Sequence, residues 1–270
     1  MFYYQVAGVP LVSCFKLPFF TAFMREEPLE GEVTLERTEE QPPEVQDLIS
    51  GAIAHRRLED GWFYHSPKTD RRGLFVSADY TRLQMLGEDG DVLDPGEEWM
   101  VRLALECLLA RKGYVSLHAA AVEVGEEAFA FSGPSGVGKS TRAAAWIYGL
   151  DAALISGDRP LIGVRDLMLY GVPWDGKEQC FRNVFYPLKA ICEVQRADTV
   201  SVEEMSFEER RKLLMSQCFI PMWDTDTALI QMENIVHLAK EADIVRICSG
   251  ASSKDAARLY ELLQQRTNPA

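Results

Sequence analysis

One glycine-rich stretch of the chain has the residues and spacing needed to hold phosphate groups. Residues 133 to 140, GPSGVGKS, fit the pattern G-x-x-x-x-G-K-[ST] at every fixed position. Gly136 and Gly138 allow backbone conformations closed to other residues, so successive N–H groups can point at anionic oxygens. The preceding AFAF predicts a strand, and the following STRAAAWIYG predicts a helix that ends at Gly149 and adds its positive end. The stretch therefore predicts binding of the phosphates of ATP or GTP.

Residues of this loop have separate predicted roles. Lys139 can reach the β- and γ-phosphates, and the Ser140 hydroxyl can ligate Mg²⁺, which makes Ser140 the predicted metal ligand. ATP and Mg²⁺ are the expected cofactors, although the pattern itself does not separate ATP from GTP. The predicted nucleotide-binding residues are Gly133, Pro134, Ser135, Gly136, Val137, Gly138, Lys139, Ser140 and Thr141.

A carboxylate downstream of the loop could act on a phosphate acceptor. Phosphoryl transfer needs charge neutralisation, a metal and a carboxylate that orients or deprotonates the acceptor. Asp158 follows the apolar run ALIS, and strand ends in α/β sheets often meet ligands. The alternative is a turn aspartate before Arg159 and Pro160. Arg159 and Lys177 could contact the transferred phosphate or the substrate, and the alternative for both is an ordinary surface charge.

The elements around these residues predict two regions joined by a helix. Residues 1–94 alternate short apolar runs with polar connections, which predicts a β-rich N-terminal domain with a role in substrate recognition. Residues 95–113 form a connecting helix, in which Asp94 is the N-cap, Pro95 the first residue, and Glu97 completes a capping box. Gly113 can end this helix in a left-handed conformation.

Residues 114–270 mix strand and helix patterns, which predicts an α/β domain. A hairpin with a tight turn at Gly125 leads directly into the glycine-rich loop. Further strands are expected in AALIS, PLIGV, LMLYGV, LKAICEV and DIVRIC. Helices are expected in MSFEERRKLLMSQ, where Ser206 and Glu209 have capping-box spacing, in TDTALIQMENIVHLAKEA and in SSKDAARLYELLQQ.

The motifs flanking the loop resemble a known family. SLHAAAVEV, then the hairpin, then GPSGVGKS, then ALISGDRPLI, form an ordered set that resembles the C-terminal kinase domain of the bacterial HPr kinase/phosphorylase family. YGVPWDGKEQ and PLKAICEV are also similar to the shorter HPr kinase-related proteins, which share their core with PEP carboxykinase. The resemblance covers residues 114 to 195 best, and it implies an α/β P-loop kinase domain beside a smaller β-rich N-terminal domain.

The resemblance also implies roles for individual residues. Asp158 stands where the family has the second of two adjacent aspartates, the base toward the accepting serine hydroxyl, and Gly157 replaces the first. His118 matches the histidine that supports the catalytic aspartate, whereas from the sequence alone a histidine on an apolar strand would normally be a satisfied core histidine. With Lys139, these are the expected catalytic residues. The family's distal glutamate has no clear counterpart, and the glycine-rich segment that receives HPr is missing, so HPr itself is not the expected acceptor.

The amino-acid composition limits which binding partners and which cellular compartment we expect. The net charge of −13 argues against nonspecific binding to nucleic acid or anionic membranes. The six cysteines are far apart and include no CxxC pair, which is typical of free thiols in a reducing cytosol. The apolar N-terminus lacks a basic leader and is interrupted by Pro10, Lys16 and Pro18, so we expect strands and a cytoplasmic protein.

Three function classes follow from these features. The first is an ATP-dependent kinase that phosphorylates a hydroxyl, serine above all, of a peptide, protein or small molecule. The second is a nucleotide-binding regulatory or accessory protein without phosphotransfer. The third and weakest is a carboxykinase-like enzyme acting on a small acid. The identity of the acceptor and the oligomeric state, a homo-oligomer included, stay open at this point.

Overall fold

The chain contains two compact units, each with its own sheet. The computed structural model describes residues 1–28, 30–42, 48–50, 53–66, 69–87, 90–174 and 179–266. The first unit comprises Met1–Lys112 and Pro221–Ala228, and the second comprises Gly113–Ile220 and Leu229–Ala270. The protein is therefore a mixed α/β protein with two mixed sheets and a few helices. No helix in the described part of the chain is both long and apolar enough to cross a lipid bilayer.

The first unit is built on a nine-stranded sheet. Its strands are β1 (Phe2–Val6), β2 (Val9–Ser13), β3 (Met24–Arg25), β4 (Val33–Thr38), β5 (Leu48–Ser50), β6 (Ile53–Leu58), β7 (Gly61–Ser66), β8 (Thr69–Ser77) and β9 (Arg82–Leu86). They lie in the order β3-β1-β2-β4-β9-β8-β7-β6-β5. The pairs β2–β4 and β4–β9 are parallel and the rest are antiparallel. Alternate residues such as Leu11, Val33 and Leu35 are fully buried, as the twofold repeat of a strand requires.

The helix that follows the first sheet along the chain begins and ends where its capping residues predict. Helix α1 spans Pro95–Arg111, and the Asp94 carboxylate accepts hydrogen bonds from the backbone N–H groups of Gly96 (2.7 Å) and Glu97 (2.9 Å). The Glu97 carboxylate in turn accepts from the Asp94 N–H at 2.8 Å, which completes the capping box. Gly113 follows with a φ of 85°, the left-handed ending predicted for it. The helix is assigned to the first unit.

A buried polar network joins the short segment 221–228 to the rest of the first unit. The Asp224 carboxylate accepts hydrogen bonds from the Tyr80 hydroxyl (2.7 Å) and the Thr227 hydroxyl (2.5 Å). Arg111 donates to Asp224 at 3.3 Å and to Thr227 at 2.7 Å. Asp224 is 5% exposed, so its negative charge depends on these donors in place of water. The hydrogen bonds keep the pKa of Asp224 below its usual value although burial alone would raise it.

The second unit contains the predicted phosphate loop. Its strands are β10 (Tyr114–Ser116), β11 (Ala119–Val124), β12 (Glu127–Ser132), β13 (Ala153–Ser156), β14 (Leu161–Gly163), β15 (Met168–Tyr170), β16 (Phe185–Arg196), β17 (Ser201–Glu204) and β18 (Ile244–Ser249). Its helices are α2 (Lys139–Leu150), α3 (Phe207–Gln217), α4 (Thr225–Glu241, which begins in the segment assigned to the first unit) and α5 (Ser253–Arg266). The sheet order is β10-β14-β15-β16-β12-β11-β13, with β18 beside β16 and β17 beside β18.

Strand directions bring several loops to one edge of this sheet. β12 is parallel to β16, and β16 is parallel to β18. β11 is antiparallel to both β12 and β13, so β13 runs in the same direction as β12. The strands β12, β13, β16 and β18 therefore end at one edge, the carboxyl edge, where β11 begins. Crevices outside the carboxyl ends of strands are the usual ligand positions in α/β sheets.

Both faces of the second sheet are covered by apolar side chains. On β12, Phe129 and Phe131 pack on one face with Trp146 of α2 and Leu259 of α5. The alternating residues of the same strand, Ala128 and Ala130, pack on the other face in a cluster that also holds residues of α3 and α4. Neighbouring residues on a strand point to opposite faces, so one short strand contributes to two cores. This arrangement fixes β12 and α2, the two elements on either side of the glycine-rich loop.

The predicted elements of the second unit are present, with two differences. The hairpin turn has Gly125 and Glu126 at φ of 58° and 67°, the paired left-handed geometry of a tight two-residue turn. α2 continues one residue past the predicted end at Gly149, because Asp151 adopts the left-handed conformation that closes it. β17 was not predicted, because SVEE is short, polar and half-exposed, and is a strand only through its pairing with β18.

Candidate functional site

The glycine-rich loop connects β12 to α2 with its glycines in left-handed conformations. Gly133, Gly136 and Gly138 have φ of 139°, 80° and 111°, values that other residues rarely adopt. The Val137 N–H donates to the Pro134 carbonyl at 3.3 Å and closes a turn within the loop. Gly138 is the N-cap of α2, and no side chain caps that helix end. The first N–H groups of α2 are therefore available to an anion.

Lys139 bends back over the loop. Its ammonium group donates to the carbonyl oxygens of Gly133 (3.0 Å) and Pro134 (3.3 Å). Partial burial lowers the pKa of Lys139, and the charge of Asp158 opposes this effect. Ser140 and Thr141 follow, both exposed at the start of α2, and Pro134 and Ser135 are exposed in the loop itself. The positive charge of Lys139 thus lies at the loop, where the phosphate pattern requires it.

Asp158 lies at the same edge of the sheet, just after β13. Its backbone carbonyl accepts a hydrogen bond from the Ser156 hydroxyl at 2.8 Å, which holds the turn. One oxygen of its carboxylate, Oδ1, is buried and has no hydrogen-bond partner among the residues that the structure describes. A buried polar atom without a partner is costly, and such atoms are rare in folded proteins. This oxygen is therefore available to a donor or a cation from outside the described residues.

His118 faces Asp158 from the start of β11. Its Nε2 lies 3.9 Å from Asp158 Oδ1, too far for a hydrogen bond but within reach of a shared partner. The other ring nitrogen, Nδ1, lies 3.2 Å from the side-chain oxygen of Gln217. With that oxygen as acceptor, Nδ1 carries the hydrogen, and the lone pair of Nε2 points toward Asp158. The core-histidine alternative does not describe this side chain, which is 32% exposed.

Burial and a neighbouring positive charge lower the pKa of His118. Burial is the largest cause that lowers the pKa of His118, and the positive charge of Lys139 is the second. Asp158 and the Gln217 hydrogen bond act in the opposite direction and are outweighed. A neutral imidazole can accept a proton, so the ring is suited to hold a hydroxyl group at Nε2.

The pKa of His118 provides a test of this arrangement that needs no substrate. Lys139→Met removes a positive charge, so the pKa of His118 should rise, whereas Asp158→Asn removes a negative charge and should lower it further. An NMR titration of the ring protons measures both shifts. The chain has four histidines, so His118→Gln is needed to assign the signal. Shifts in the same direction, or no shift in either variant, would contradict the placement of the three side chains around one point.

Arg159 is held in an unusual backbone conformation beside Asp158. Its φ is 54°, a left-handed value that costs free energy in a residue other than glycine. Its carbonyl oxygen accepts a hydrogen bond from the buried Trp174 indole at 3.2 Å, which supports this conformation. The guanidinium Nη1 is buried and has no hydrogen-bond partner within the described ranges. Arg159 also lowers the pKa of His118, so its charge lies close to the site.

Three residues at or near the site have no signal in the sequence, and one predicted residue lies outside the part of the chain that the structure describes. Gln217 ends α3, and nothing in MSQ distinguishes it from an ordinary helix-surface residue. Two arginines beside the loop, Arg142 and Arg196, were likewise not predicted, since each is an isolated cation within an amphipathic element. Lys177, a predicted substrate contact, lies outside the residues that the structure describes.

The residues of the glycine-rich loop and the start of α2 are suited to bind the phosphates of a nucleotide together with a metal ion. The left-handed glycines, the uncapped end of α2 and Lys139 match an anion with several oxygens. The exposed Ser140 hydroxyl is a hard oxygen donor, the type that Mg²⁺ binds. Within the described ranges, no group of three or more His, Cys, Asp and Glu could hold a metal alone.

Comparison with known proteins adds nothing to this geometry. No protein-family model matches the chain, and no curated protein matches it.

Proposed function

We propose that this protein is an ATP-dependent kinase of the HPr kinase type that transfers the γ-phosphate to a hydroxyl group. The observation that carries the proposal is the buried oxygen of Asp158, which no described residue hydrogen-bonds and which lies 3.9 Å from His118 Nε2, at the same sheet edge as the phosphate loop. A carboxylate in this position can orient and deprotonate a hydroxyl next to a bound phosphate. We also propose that the second unit, Gly113–Ile220 and Leu229–Ala270, is the catalytic unit and has the fold of an HPr kinase-like P-loop domain.

The loop residues act on the nucleotide. Backbone N–H groups from Gly136 to Thr141 surround the phosphate oxygens, and Lys139 moves from the loop carbonyls to the transferred phosphate. Its charge balances the negative charge that develops during transfer. Mg²⁺, when bound, would supply charge neutralisation at the phosphates, and Ser140 is the residue that would hold it.

Asp158 and His118 act on the acceptor. Asp158 accepts the proton of the acceptor hydroxyl as the bond between that oxygen and the γ-phosphorus forms. The bond from the γ-phosphorus to the bridging oxygen breaks, and ADP leaves with that oxygen. As the acceptor arrives, its hydroxyl donates its single hydrogen to His118 Nε2, whose ring Gln217 fixes, and then turns to Asp158, which takes the proton during transfer. Arg159 supplies positive charge for the phosphorylated product.

The acceptor we propose is a serine-type hydroxyl of a peptide, a protein or a small molecule, in the cytoplasm where ATP is abundant. The exposed position of the loop residues supports an acceptor that approaches from solvent. Neither a nucleic acid nor a membrane is proposed as a partner, because the net charge of −13 disfavours both.

Transfer of label from γ-labelled ATP tests the proposal. Purified protein is incubated with Mg²⁺ and pools of serine-containing peptides, proteins or small alcohols, and label should appear on a hydroxyl group. Lys139→Ala should abolish the transfer, whereas Lys240→Ala, which changes an exposed lysine on α4, should not. If Lys139→Ala still transferred label to an acceptor, the proposal would be wrong.

A nucleotide-binding regulatory protein is the second candidate. The observation that favours it is Gly157, which stands where the resembling family has its first aspartate. This alternative predicts that ATP binds, that Lys139→Ala weakens the binding, and that no acceptor receives label. The same experiment therefore separates the two candidates.

A further inference from the structure

A pocket lies beside the phosphate loop, on the side opposite Asp158. It has a volume of about 460 Å³, within the range of small-molecule sites. All of its lining residues belong to the second unit and come from the phosphate loop, from α2, and from the ends of β16 and β18 with the loops that follow them. They are Gly138, Thr141, Arg142, Arg196, Ala197, Asp198, Ser249, Gly250 and Ala251.

Arg142 is an unusually buried cation in the wall of this pocket. It is 3% exposed, and its Nη2 donates to the carbonyl oxygens of Ser249 (2.5 Å) and Gln195 (3.4 Å). Its Nε is buried, and no residue in the described part of the chain hydrogen-bonds it. Lys and Arg are rarely buried this far unless they are paired with an anion. A structural role in joining α2 to the ends of β16 and β18 therefore explains the hydrogen bonds of Arg142 Nη2. It does not explain why the Nε of Arg142 is buried.

Arg196 brings a second positive charge to the same point. Its guanidinium donates to the carbonyl oxygens of Gly136 (3.0 Å) and Val137 (3.2 Å) in the phosphate loop. A Cβ atom placed on Gly138 would lie 3.5 Å from Arg142 Nη1 and 4.0 Å from Arg196 Nε, so both guanidinium groups flank this glycine. Burial is the main cause that lowers the pKa of Arg142, followed by the charge of Arg196. An anion beside Gly138 would relieve that repulsion.

The order of the strands gives a bound nucleotide its direction. Along the carboxyl edge, Asp158 follows β13, His118 precedes β11, the phosphate loop follows β12, and the pocket lies beyond β16 and β18. Adjacent strands are about 5 Å apart. Because β12 lies between β13 on one side and β16 and β18 on the other, Asp158 and the pocket lie on opposite sides of the phosphate loop. A nucleotide whose γ-phosphate faces Asp158 must extend its other end toward β16 and β18.

We infer that this pocket binds the ribose and base of a nucleoside triphosphate, with the α-phosphate between Arg142 and Arg196. The inference rests on the proposed function for the position of the γ-phosphate. Asp198 can accept hydrogen bonds from ribose hydroxyls, as acidic residues do in other nucleotide sites. The guanidinium of Arg196 can stack on a base, and Ala197, Gly250 and Ala251 leave room for it.

Calorimetric titration with MgATP, AMP and inorganic tripolyphosphate tests the inference. Ala251→Trp fills the exposed rim of the pocket, so the affinities for ATP and AMP should fall by about tenfold or more, and that for tripolyphosphate should stay within about twofold. Lys139→Ala should have the opposite pattern, with tripolyphosphate weakened and AMP unchanged. Lys254→Trp, an exposed position outside the pocket lining, is the matched control and should change none of the three.

The outcomes separate this inference from the proposed function. Unchanged binding of ATP and AMP in Ala251→Trp would overturn the inference, as would equal affinities of the wild-type protein for ATP and tripolyphosphate. Tripolyphosphate binding without AMP binding would also overturn it, while the phosphate loop would keep its proposed role. Failure of the wild-type protein to bind either ATP or tripolyphosphate would overturn the proposed function itself.

Discussion

Replacing Asp158 with asparagine should lower the rate of phosphate transfer by about 10²- to 10⁴-fold, the usual contribution of a general base. Asparagine has nearly the same shape but cannot take up the acceptor proton, so the turn and the loop should stay intact. The affinity for ATP should remain within about twofold, because the loss concerns the transition state rather than nucleotide binding. The rate is measured as label transferred from γ-labelled ATP, and the affinity is measured by calorimetry.

An aspartate outside the site provides the control for this variant. Asp151 is exposed at the end of α2 and has a φ of 54°, a conformation that asparagine tolerates well. Asp151→Asn should therefore leave the transfer rate unchanged. If Asp158→Asn retained transfer within about threefold of wild type, the carboxylate would not be the base, because even modest base catalysis exceeds that factor.

Replacing Trp146 with alanine should destabilise the second unit by about 3–5 kcal/mol, the range for large aromatic residues in cores. Trp146 is fully buried, and its ring centroid lies 4.8 Å from Phe129, 5.1 Å from Phe131 and 5.8 Å from Tyr260. These contacts join α2 to β12 and α5, the elements that hold the phosphate loop. Denaturant unfolding followed by far-UV circular dichroism measures the loss.

Two further variants separate volume from chemistry at this position. The indole N–H of Trp146 is buried and has no hydrogen-bond partner among the described residues, so Trp146→Phe should lose much less stability than Trp146→Ala. Tyr148 lies on the same helix but is 85% exposed, and Tyr148→Ala should change stability by no more than about 0.5 kcal/mol. Equal losses in Trp146→Ala and Tyr148→Ala would show that this core does not stabilise the helix.

Sequence patterns predict the local elements of this protein well because their signals are local. Asp94 with Glu97, and Ser206 with Glu209, form capping boxes in the structure at the positions that their spacing indicates. The glycines of residues 133–140 take the left-handed conformations that the phosphate pattern requires. In each case the interacting groups are within a few residues of one another, so a short stretch of sequence contains the whole interaction.

The parts that the sequence does not predict depend on distant residues. Gln217 meets His118 across 99 positions, and Arg196 meets Gly136 across 60, so neither contact has a local signal. The left-handed backbone of Arg159 is supported by Trp174, fifteen positions away. Such contacts follow from strand order and direction, and one sequence gives few constraints on either.

The return of the chain to the first unit limits how this protein can be divided for experiments. A cut after Lys112 would separate Asp224 from Tyr80 and Arg111, two of its hydrogen-bond donors. A buried carboxylate would then be exposed to water in one fragment, and an arginine and a tyrosine would lose their acceptor in the other. The N-terminal fragment would also lack residues 221–228 of its own unit. Interaction mapping with separate halves would thus report the damage at the cut, and point variants of the full chain are the sounder tool.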